Sequence, residues 1–453
     1  MNYSARLTGC TGWRLRMLWL LCAVVSLPVY AQKATEIAEG TPPGSASAGI
    51  IIAIEFTGNR VTNSKILRYE ILVKEGDVAD PVLIERSRQA IMDLGLFTSV
   101  DASVEQGEDG SVLRFIVKEK YYILPVPKLN RDDDNNISLG AEITLDNLAG
   151  LNQQLKLRYE TEDAEGTSGG KMDTNALSYN YPRVFGSPYQ FHVDLSQTYQ
   201  PVEEAGVSGT SRYKLEAWIA SVLVSRWLAP LGPSRGWQVG AGLVWRNNGY
   251  DHVSGAMTDT FLDARAVSVN VLGQFLDVRD YLFSRSGIEY GYLGEFGAPS
   301  LGSDTQFTRH EFFYRRYILL EQRPHENLEF QGRLGLSSGD IFASDDYAYS
   351  LGGSKTLRAF DTSSFVGNSF VLFNLQYLRP FFDYYPLRGA IFLDIGNAYP
   401  SNEKINLGDL KWDVGVGLRL RLKSFVKIDL RVDVSYAYDT GEYKVFAGTK
   451  EVF

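Results

Sequence analysis

The residues GLSSG, Gly335 to Gly339, match the G-x-S-x-G pattern that surrounds the nucleophilic serine of many hydrolases. That chemistry needs Ser337 on a sharp turn from a strand into a helix, with a histidine and an acid within reach. Here the motif ends a strand-like segment, and no helical pattern follows it. We therefore predict that Ser337 is not catalytic and that the chain is not an enzyme.

Metal-binding side chains are sparse. The four histidines (His192, His252, His310 and His325) show none of the spacings that bring metal ligands together. The acidic stretch RDDDNN, residues 131–136, is more typical of a solvated turn than of a cation site. No glycine-rich phosphate-binding loop is present either. We expect neither a metal nor a cofactor.

The first 31 residues have the pattern of a secretory signal peptide. Arg6, Arg14 and Arg16 precede a short apolar run, and Val29 and Ala31 form a small-residue cleavage site. A membrane anchor is the alternative, but the run is short for a spanning helix. Cleavage after Ala31 would remove both cysteines and three arginines, which changes the net charge from −9 to −12. Such a chain has no disulfides, and its acidity argues against nucleic-acid binding.

The next part of the chain predicts a small domain. Residues 32–49, rich in Ala, Gly, Pro and Ser, predict a flexible linker. Residues 50–120 then predict strand, helix, helix, strand and strand, with the last two strands joined by the turn GEDG. The first helix has an apolar stripe at Ile66, Tyr69 and Val73 and is expected to end at Gly76. The order of elements in residues 50–120 is that of a compact α/β domain.

From residue 121 to 453, alternation replaces the helical period. In VKIDLRVDVSY, residues 426–436, apolar side chains alternate with charged or polar ones, which is typical of a lipid-facing exterior and a wet lumen. Sixteen such segments are present, and short turns alternate with long polar connections at 200–211, 248–261 and 338–367. The predicted fold class is a transmembrane β-barrel of sixteen antiparallel strands with a small N-terminal α/β domain. A large periplasmic or extracellular β protein is the alternative.

Several motifs resemble one family. GNRVTNSKIL, EGDVADPVLIERSRQAIMDLGLF and VKEK resemble the turn, helices and closing strand of a POTRA domain. LDNLAGLNQQLKLR, GGSKTLRAF and IFLDIGNAY resemble the strand 2 to strand 3 turn, the sixth external loop and strand 13 of the BamA/TamA superfamily of outer-membrane insertases and translocases. The resemblance covers roughly residues 50–453 and implies one POTRA domain (50–120) before a barrel (121–453).

The resemblance implies that the sixth loop folds back into the lumen, where its arginine pairs with the aspartate of strand 13. Those residues here are Arg358 and Asp394, and a guanidinium can hold a carboxylate through two hydrogen bonds. The family usually has glycine after this arginine, whereas this chain has Ala359. We name the predicted set the lumen strap; it comprises Gly352, Gly353, Arg358, Phe360, Phe392, Asp394 and Gly396.

Family members open between their first and last strands, and the sequence suggests a weak seam there. Pro125 and Pro127 in YYILPVPKLN lack amide hydrogens and lie two residues apart, so both should face the last strand. Alternatively, the first strand begins after Pro127. Gly448 is predicted to bend the last strand. Phe453 resembles the terminal aromatic by which outer-membrane barrels are recognised, although a chain can end in Phe by chance.

The resemblance implies an outer-membrane assembly or insertion factor with its POTRA domain in the periplasm. The POTRA domain would capture unfolded outer-membrane or secreted polypeptides, and the barrel would act on outer-membrane lipids at the seam. Periplasmic chaperones or lipoproteins are possible further partners. Two other functions stay open, namely a polypeptide translocator of the two-partner-secretion type and an accessory structural barrel without transport of its own.

Overall fold

A computed structural model describes residues 49–131, 137–163, 171–206, 209–228, 231–232, 234–257, 261–320, 323–339, 348–426 and 429–448. The predicted signal peptide, almost all of the predicted linker, most of the RDDDNN stretch and Phe453 lie outside these residues. Among the described residues, no helix has the length and apolar character needed to cross a membrane.

The N-terminal domain has the predicted element order. Its elements are β1 (Ile51–Thr57), α1 (Ser64–Glu70), α2 (Pro81–Asp93), β2 (Phe97–Gln106) and β3 (Ser111–Glu119). The sheet order is β1-β3-β2, with β1 parallel and β2 antiparallel to β3. Both helices and all three strands contribute to one core, which includes Ile51, Leu67, Ile91, Phe97 and Phe115.

Helix α1 is shorter than predicted. It ends at Glu70 rather than Gly76, and Ile71 is already extended. The amides of Leu72 and Val73 donate to the Ser87 hydroxyl of α2, at 3.0 and 3.3 Å, instead of to helical carbonyls. Val73 therefore lies in an extended segment and packs into the core from there. The prediction that it belongs to the apolar stripe of the helix was wrong.

The rest of the chain forms one sheet of sixteen antiparallel strands, as predicted. These strands are β4 (Ile123–Arg131), β5 (Ile137–Leu148), β6 (Gln153–Asp163), β7 (Lys171–Tyr181), β8 (Tyr189–Gly206), β9 (Gly209–Trp227), β10 (Gly236–Ser254), β11 (Ala264–Tyr281), β12 (Ser284–Gly297), β13 (Phe307–Leu319), β14 (Asn327–Gly339), β17 (Ser369–Phe381), β18 (Tyr384–Tyr399), β19 (Lys411–Arg421), β20 (Asp429–Ala437) and β21 (Tyr443–Gly448). A short hairpin, β15 (Tyr349–Leu351) and β16 (Phe365–Gly367), lies in the connection between β14 and β17.

The two faces of the sheet differ as a membrane barrel requires. On β20, Leu430, Val432 and Val434 are 40–45% exposed, whereas Arg431 and Asp433 between them are buried. Apolar side chains outside and buried charges inside identify a lipid-facing exterior and a packed polar lumen. The fold-class prediction is confirmed.

Two predicted loops are largely strand. β8 and β9 continue through most of 200–211, and β10 continues to Ser254 in the predicted loop 248–261. Beyond the bilayer the exterior of a strand faces water, so its side chains need not be apolar while the backbone ladder continues. Apolar alternation therefore reports the part of a strand within the membrane and underestimates its hydrogen-bonded length.

The N-terminal domain docks on the turns at one end of the barrel, which we call the domain end. Glu70 at the end of α1 pairs with Arg183 in the β7–β8 turn, at 2.9 Å and with both side chains buried. Asp93 at the end of α2 pairs with Arg235 before β10 and accepts the amide of Asp280 in β11 at 3.1 Å. These contacts fix the domain across several turns of the barrel.

Candidate functional site

The sixth external loop carries Arg358 to Asp394 on the lumen face of β18. Arg358 Nε lies 2.6 Å from Asp394 Oδ2, and Nη2 lies 2.8 Å from Oδ1. Both side chains are fully buried, with 0% exposure. The structure therefore forms the two-point pair that the resemblance implied, in a site without solvent screening.

Neighbouring strands support both partners. The Arg358 guanidinium lies 3.4 Å from the ring centroid of Phe392, and Asn374 on β17 donates to Asp394 at 2.8 Å. The Ser435 hydroxyl on β20 donates to the Arg358 carbonyl at 2.9 Å. These contacts with β17, β18 and β20 hold the loop against the lumen wall.

The glycines of the strap allow close approach. Gly352 and Gly353 have φ of +116° and +85°, and a Cβ on Gly352 would lie 2.0 Å from the Asp361 carbonyl oxygen. A Cβ on Gly396 would meet Leu351 of β15 at 3.3 Å and the β17 backbone at 2.7 Å. Phe360 packs edge-on against Phe365 of β16, 5.0 Å between ring centroids.

 Ala359 is fully buried, and its backbone is not among those with positive φ. Its amide donates to Asp413 Oδ2 of β19, with 3.3 Å between nitrogen and oxygen. The conformational freedom of the family's usual glycine is therefore not needed here.

Sequence reasoning missed the acidic and basic neighbours of the strap. Asp433 on β20 lies 3.8 Å from Arg358 and also pairs with Arg419 on β19. Asp413 on β19 is directly opposite Asp394 in the β18–β19 register. Inward-facing charged residues at matching heights on consecutive strands would have indicated this cluster. Identifying those heights requires the strand register, which the sequence does not give.

The predicted seam lies between β4 and β21, which are adjacent at the two ends of the sheet order. The Tyr122 carbonyl accepts an amide of β5, whereas the preceding Tyr121 amide donates to the β19–β20 turn, each at 2.7 Å. Alternate residues of a strand direct their amides to the same side, so Pro125 and Pro127 face away from β5. Within the described residues, no strand pairing joins β4 to β21.

Gly448 is the last residue of β21 that the structure describes. It lies opposite Arg431 in unbroken register. A Cβ at Gly448 would come within 2.8 Å of the Phe446 ring. The glycine therefore makes room for Phe446, whose ring lies 4.4 Å from the Arg431 guanidinium. Phe453, the other predicted seam residue of the last strand, lies outside the described residues.

Comparison with known families now decides the classification. A model described as the Omp85 superfamily domain matches residues 147–444, more than half of the chain. The chain belongs to the Omp85 superfamily. This confirms the BamA/TamA resemblance seen in the sequence. A second model, POTRA, described as a surface antigen variable number repeat, matches residues 50–120.

Individual relatives of this Omp85 protein share short or distant similarity. The outer membrane protein assembly factor BamA of Nitratidesulfovibrio vulgaris is 38% identical over 78 residues, 17% of this chain and 10% of that protein. The chain thus matches about a tenth of the length of this curated relative.

Two solved structures share the fold. BamA from Haemophilus ducreyi lacking POTRA domains 1–3 has a TM-score of 0.52 at 16% identity, with 88% of this chain and 84% of that one covered. CdiB from Escherichia coli has a TM-score of 0.64 at 13% identity, with 89% and 74% covered. At these identities the likeness concerns the fold alone.

The hydrolase-like motif has no elbow in this Omp85 barrel. All five residues from Gly335 to Gly339 belong to β14, and the Ser337 hydroxyl donates to the Asn368 carbonyl at 2.6 Å. A strained turn that would expose a nucleophile is therefore not formed. Within the described ranges, no three His, Cys, Asp or Glu side chains are grouped to hold a metal ion.

A carboxylate organises the joint between the POTRA domain and the barrel. Glu119 accepts hydrogen bonds from the amides of Arg60, Val61 and Thr62, at 2.7–3.2 Å. Asn147 in the β5–β6 turn donates to the Thr62 hydroxyl at 2.8 Å. Burial alone would raise the pKa of Glu119, but the hydrogen bonds from Thr62 and Val61 outweigh it and lower the pKa below 4.5.

The joint is expected to loosen in acid. A lowered folded-state pKa means that the stabilisation by Glu119 is present above the ordinary pKa of 4.5 and is lost as pH falls through the lower folded value. Hydrogen exchange at the amides of Arg60, Val61 and Thr62, corrected for intrinsic rates, should show protection that decreases below pH 4.5. The effect should be modest, because Glu119 is only partly buried.

The matched variant is Glu119→Gln, which cannot ionise. It should show reduced protection of the same amides at neutral pH and little further loss in acid. The amide of Phe115, in the core of the domain, serves as the internal control. An unchanged pH dependence in Glu119→Gln would show that another group controls the joint.

Proposed function

We propose that this protein is a non-enzymatic outer-membrane assembly factor that inserts client polypeptides at the β4–β21 seam. The POTRA domain would lie in the periplasm and receive the clients. The observation that carries the proposal is the free edge of β4, where two prolines face β21 and no strand pairing closes the described part of the sheet.

The energetics of this edge favour opening. Each amide missing at Pro125 and Pro127 removes a donor whose hydrogen bond contributes about 0.5–1.5 kcal/mol net. The other neighbouring strands of the sheet are joined by paired ladders, for example the thirteen residue pairs between β13 and β14. The seam is therefore the place where separating two strands costs least.

The POTRA domain supplies an edge for client capture. Its sheet order, β1-β3-β2, leaves β2 with one unpaired side among the described residues. An unfolded outer-membrane or secreted polypeptide can add a strand to such an edge through backbone hydrogen bonds. Outer-membrane lipids would meet the client at the seam. Periplasmic chaperones or lipoproteins are further proposed partners.

Depleting the protein and taking a census of outer-membrane proteins tests the proposal. A broad loss of barrel proteins is expected for an assembly factor. Loss of one exported protein would instead support a translocator of the two-partner-secretion type. No change beyond the protein itself would support an accessory structural barrel, and either of these results would overturn the proposal.

A further inference from the structure

Four strands that run towards the domain end carry an arginine close to that end. Each arginine lies within three residues of the end of its strand. They are Arg226 on β9, Arg279 on β11, Arg316 on β13 and Arg379 on β17. We call this set the arginine rim.

Strand alternation places the rim on the lipid-facing side. Arg226 shares its face with Val222 and Val224, which are 39% and 43% exposed, whereas Ser225 and Trp227 are buried. The exterior of β9 therefore changes from apolar to cationic in its last residues. An arginine at this depth can place its stem along the apolar belt and its guanidinium in the headgroup layer.

The other three arginines follow the same rule. Arg316 shares its face with exposed Phe312, and Arg379 shares its face with exposed Phe381. Arg279 lies on the face of Phe275, whose ring packs against the exposed Trp237. Aromatic side chains of this kind mark the interface between the hydrocarbon core and the headgroups.

The rim has no carboxylate counterions in the described part of the chain. The Arg226 guanidinium lies 5.5 Å from the Tyr189 ring, and Arg379 lies near the Tyr377 hydroxyl. Asp277 shares the face of Arg279, but it lies 3.9 Å from Arg235 and forms an ion pair there. Within the described residues, no ion pair includes one of the four rim arginines.

The opposite end of the barrel differs. There, Arg212 on β9 pairs with Glu203 at 2.9 Å, and Arg265 on β11 lies 3.9 Å from Asp304. These two exterior arginines are therefore compensated within the protein. On β9 and β11, the described exterior arginines without a carboxylate partner, Arg226 and Arg279, lie at the end that carries the POTRA domain.

We propose that the arginine rim binds the phosphates of anionic phospholipids in the leaflet nearest the POTRA domain. A guanidinium matches a phosphate through two parallel hydrogen bonds, and its charge attracts anionic headgroups over zwitterionic ones. The apolar belt above the rim receives the acyl chains. This inference requires the barrel to sit in a bilayer, and it is independent of the proposed assembly function.

Native mass spectrometry of the full chain tests this binding. The protein is released from nanodiscs of phosphatidylcholine alone or mixed with phosphatidylglycerol, and the retained lipids are counted. The wild type is expected to retain phosphatidylglycerol preferentially, and salt should weaken the preference. Replacing all four rim arginines with glutamine should weaken phosphatidylglycerol binding by about fivefold per arginine.

The matched control replaces Arg212 and Arg265 with glutamine and should leave phosphatidylglycerol retention unchanged. A rim with four Arg→Lys changes keeps the charge and should retain most of the preference. If the glutamine rim variant does not fold, the single variant Arg279→Gln is measured and should show the fivefold loss. Equal retention by wild type and rim variant, or an equal loss in the control, would overturn the proposal.

Discussion

Replacing Arg358 with alanine is expected to destabilise the barrel by about 3–5 kcal/mol. The change leaves Asp394 buried with 0% exposure and without its cation. Asp413 and Asp433 line the same part of the lumen, so this buried acidic cluster would lose a cation that it surrounds. Urea unfolding of the refolded barrel measures the loss.

The reciprocal change, Asp394→Ala, should cost less than Arg358→Ala. The guanidinium would still have Asp433 at 3.8 Å as a partner. A cation that neutralises several acids should give a larger loss of stability when it is removed than any one of its acids does. A simple ion pair would give equal losses of stability for the two variants. A larger loss for Asp394→Ala than for Arg358→Ala would contradict the interpretation.

Two controls isolate the burial of the pair. Arg333→Ala breaks a lumen pair with Glu311 that is partly exposed, so its cost should be well below that of Arg358→Ala. Ala359→Gly changes the neighbouring residue without removing a charge, and the flexibility of glycine should cost no more than about 1 kcal/mol. A cost for Ala359→Gly as large as that for Arg358→Ala would show that the loop backbone, rather than the ion pair, dominates.

Local sequence predicted the side of the sheet on which Asp394 lies, and the family resemblance predicted its partner. Period-two alternation along β18 fixes the side of Asp394 once the face of Phe392 is known. The partner loop followed from the family resemblance. Asp413 and Asp433 were missed as partners because their proximity depends on the register of β18, β19 and β20, which the sequence of one strand does not encode.

Docking of the POTRA domain was not predictable from the sequence. Glu70 and Arg183 are single charged residues separated by 113 positions, and each alone looks like a solvated turn or helix residue. The end of α1 was missed for a related reason, since the Ser87 hydroxyl that holds Leu72 and Val73 comes from the next helix. Contacts between distant segments overrode the local helical pattern in this case.

A disulfide across the seam is expected to block client assembly. Cysteines at positions 123–127 of β4 and 443–448 of β21 would tether the two strands that the proposal requires to separate. Both native cysteines precede residue 32, so a chain cleaved as predicted offers no competing thiol. Assembly of a barrel client into vesicles should fall to background when the tether is oxidised and recover when it is reduced.

The control tether joins two strands that are already paired. Val416 on β19 and Val434 on β20 are register partners, so a disulfide there adds a link where no opening is proposed. Oxidation of this control should leave assembly unchanged. A disulfide at either place constrains the barrel. The difference in client assembly between the two oxidised variants therefore reports on the seam. Full assembly with the β4–β21 tether closed would show that clients enter elsewhere, and the prolines on that edge would then need another explanation.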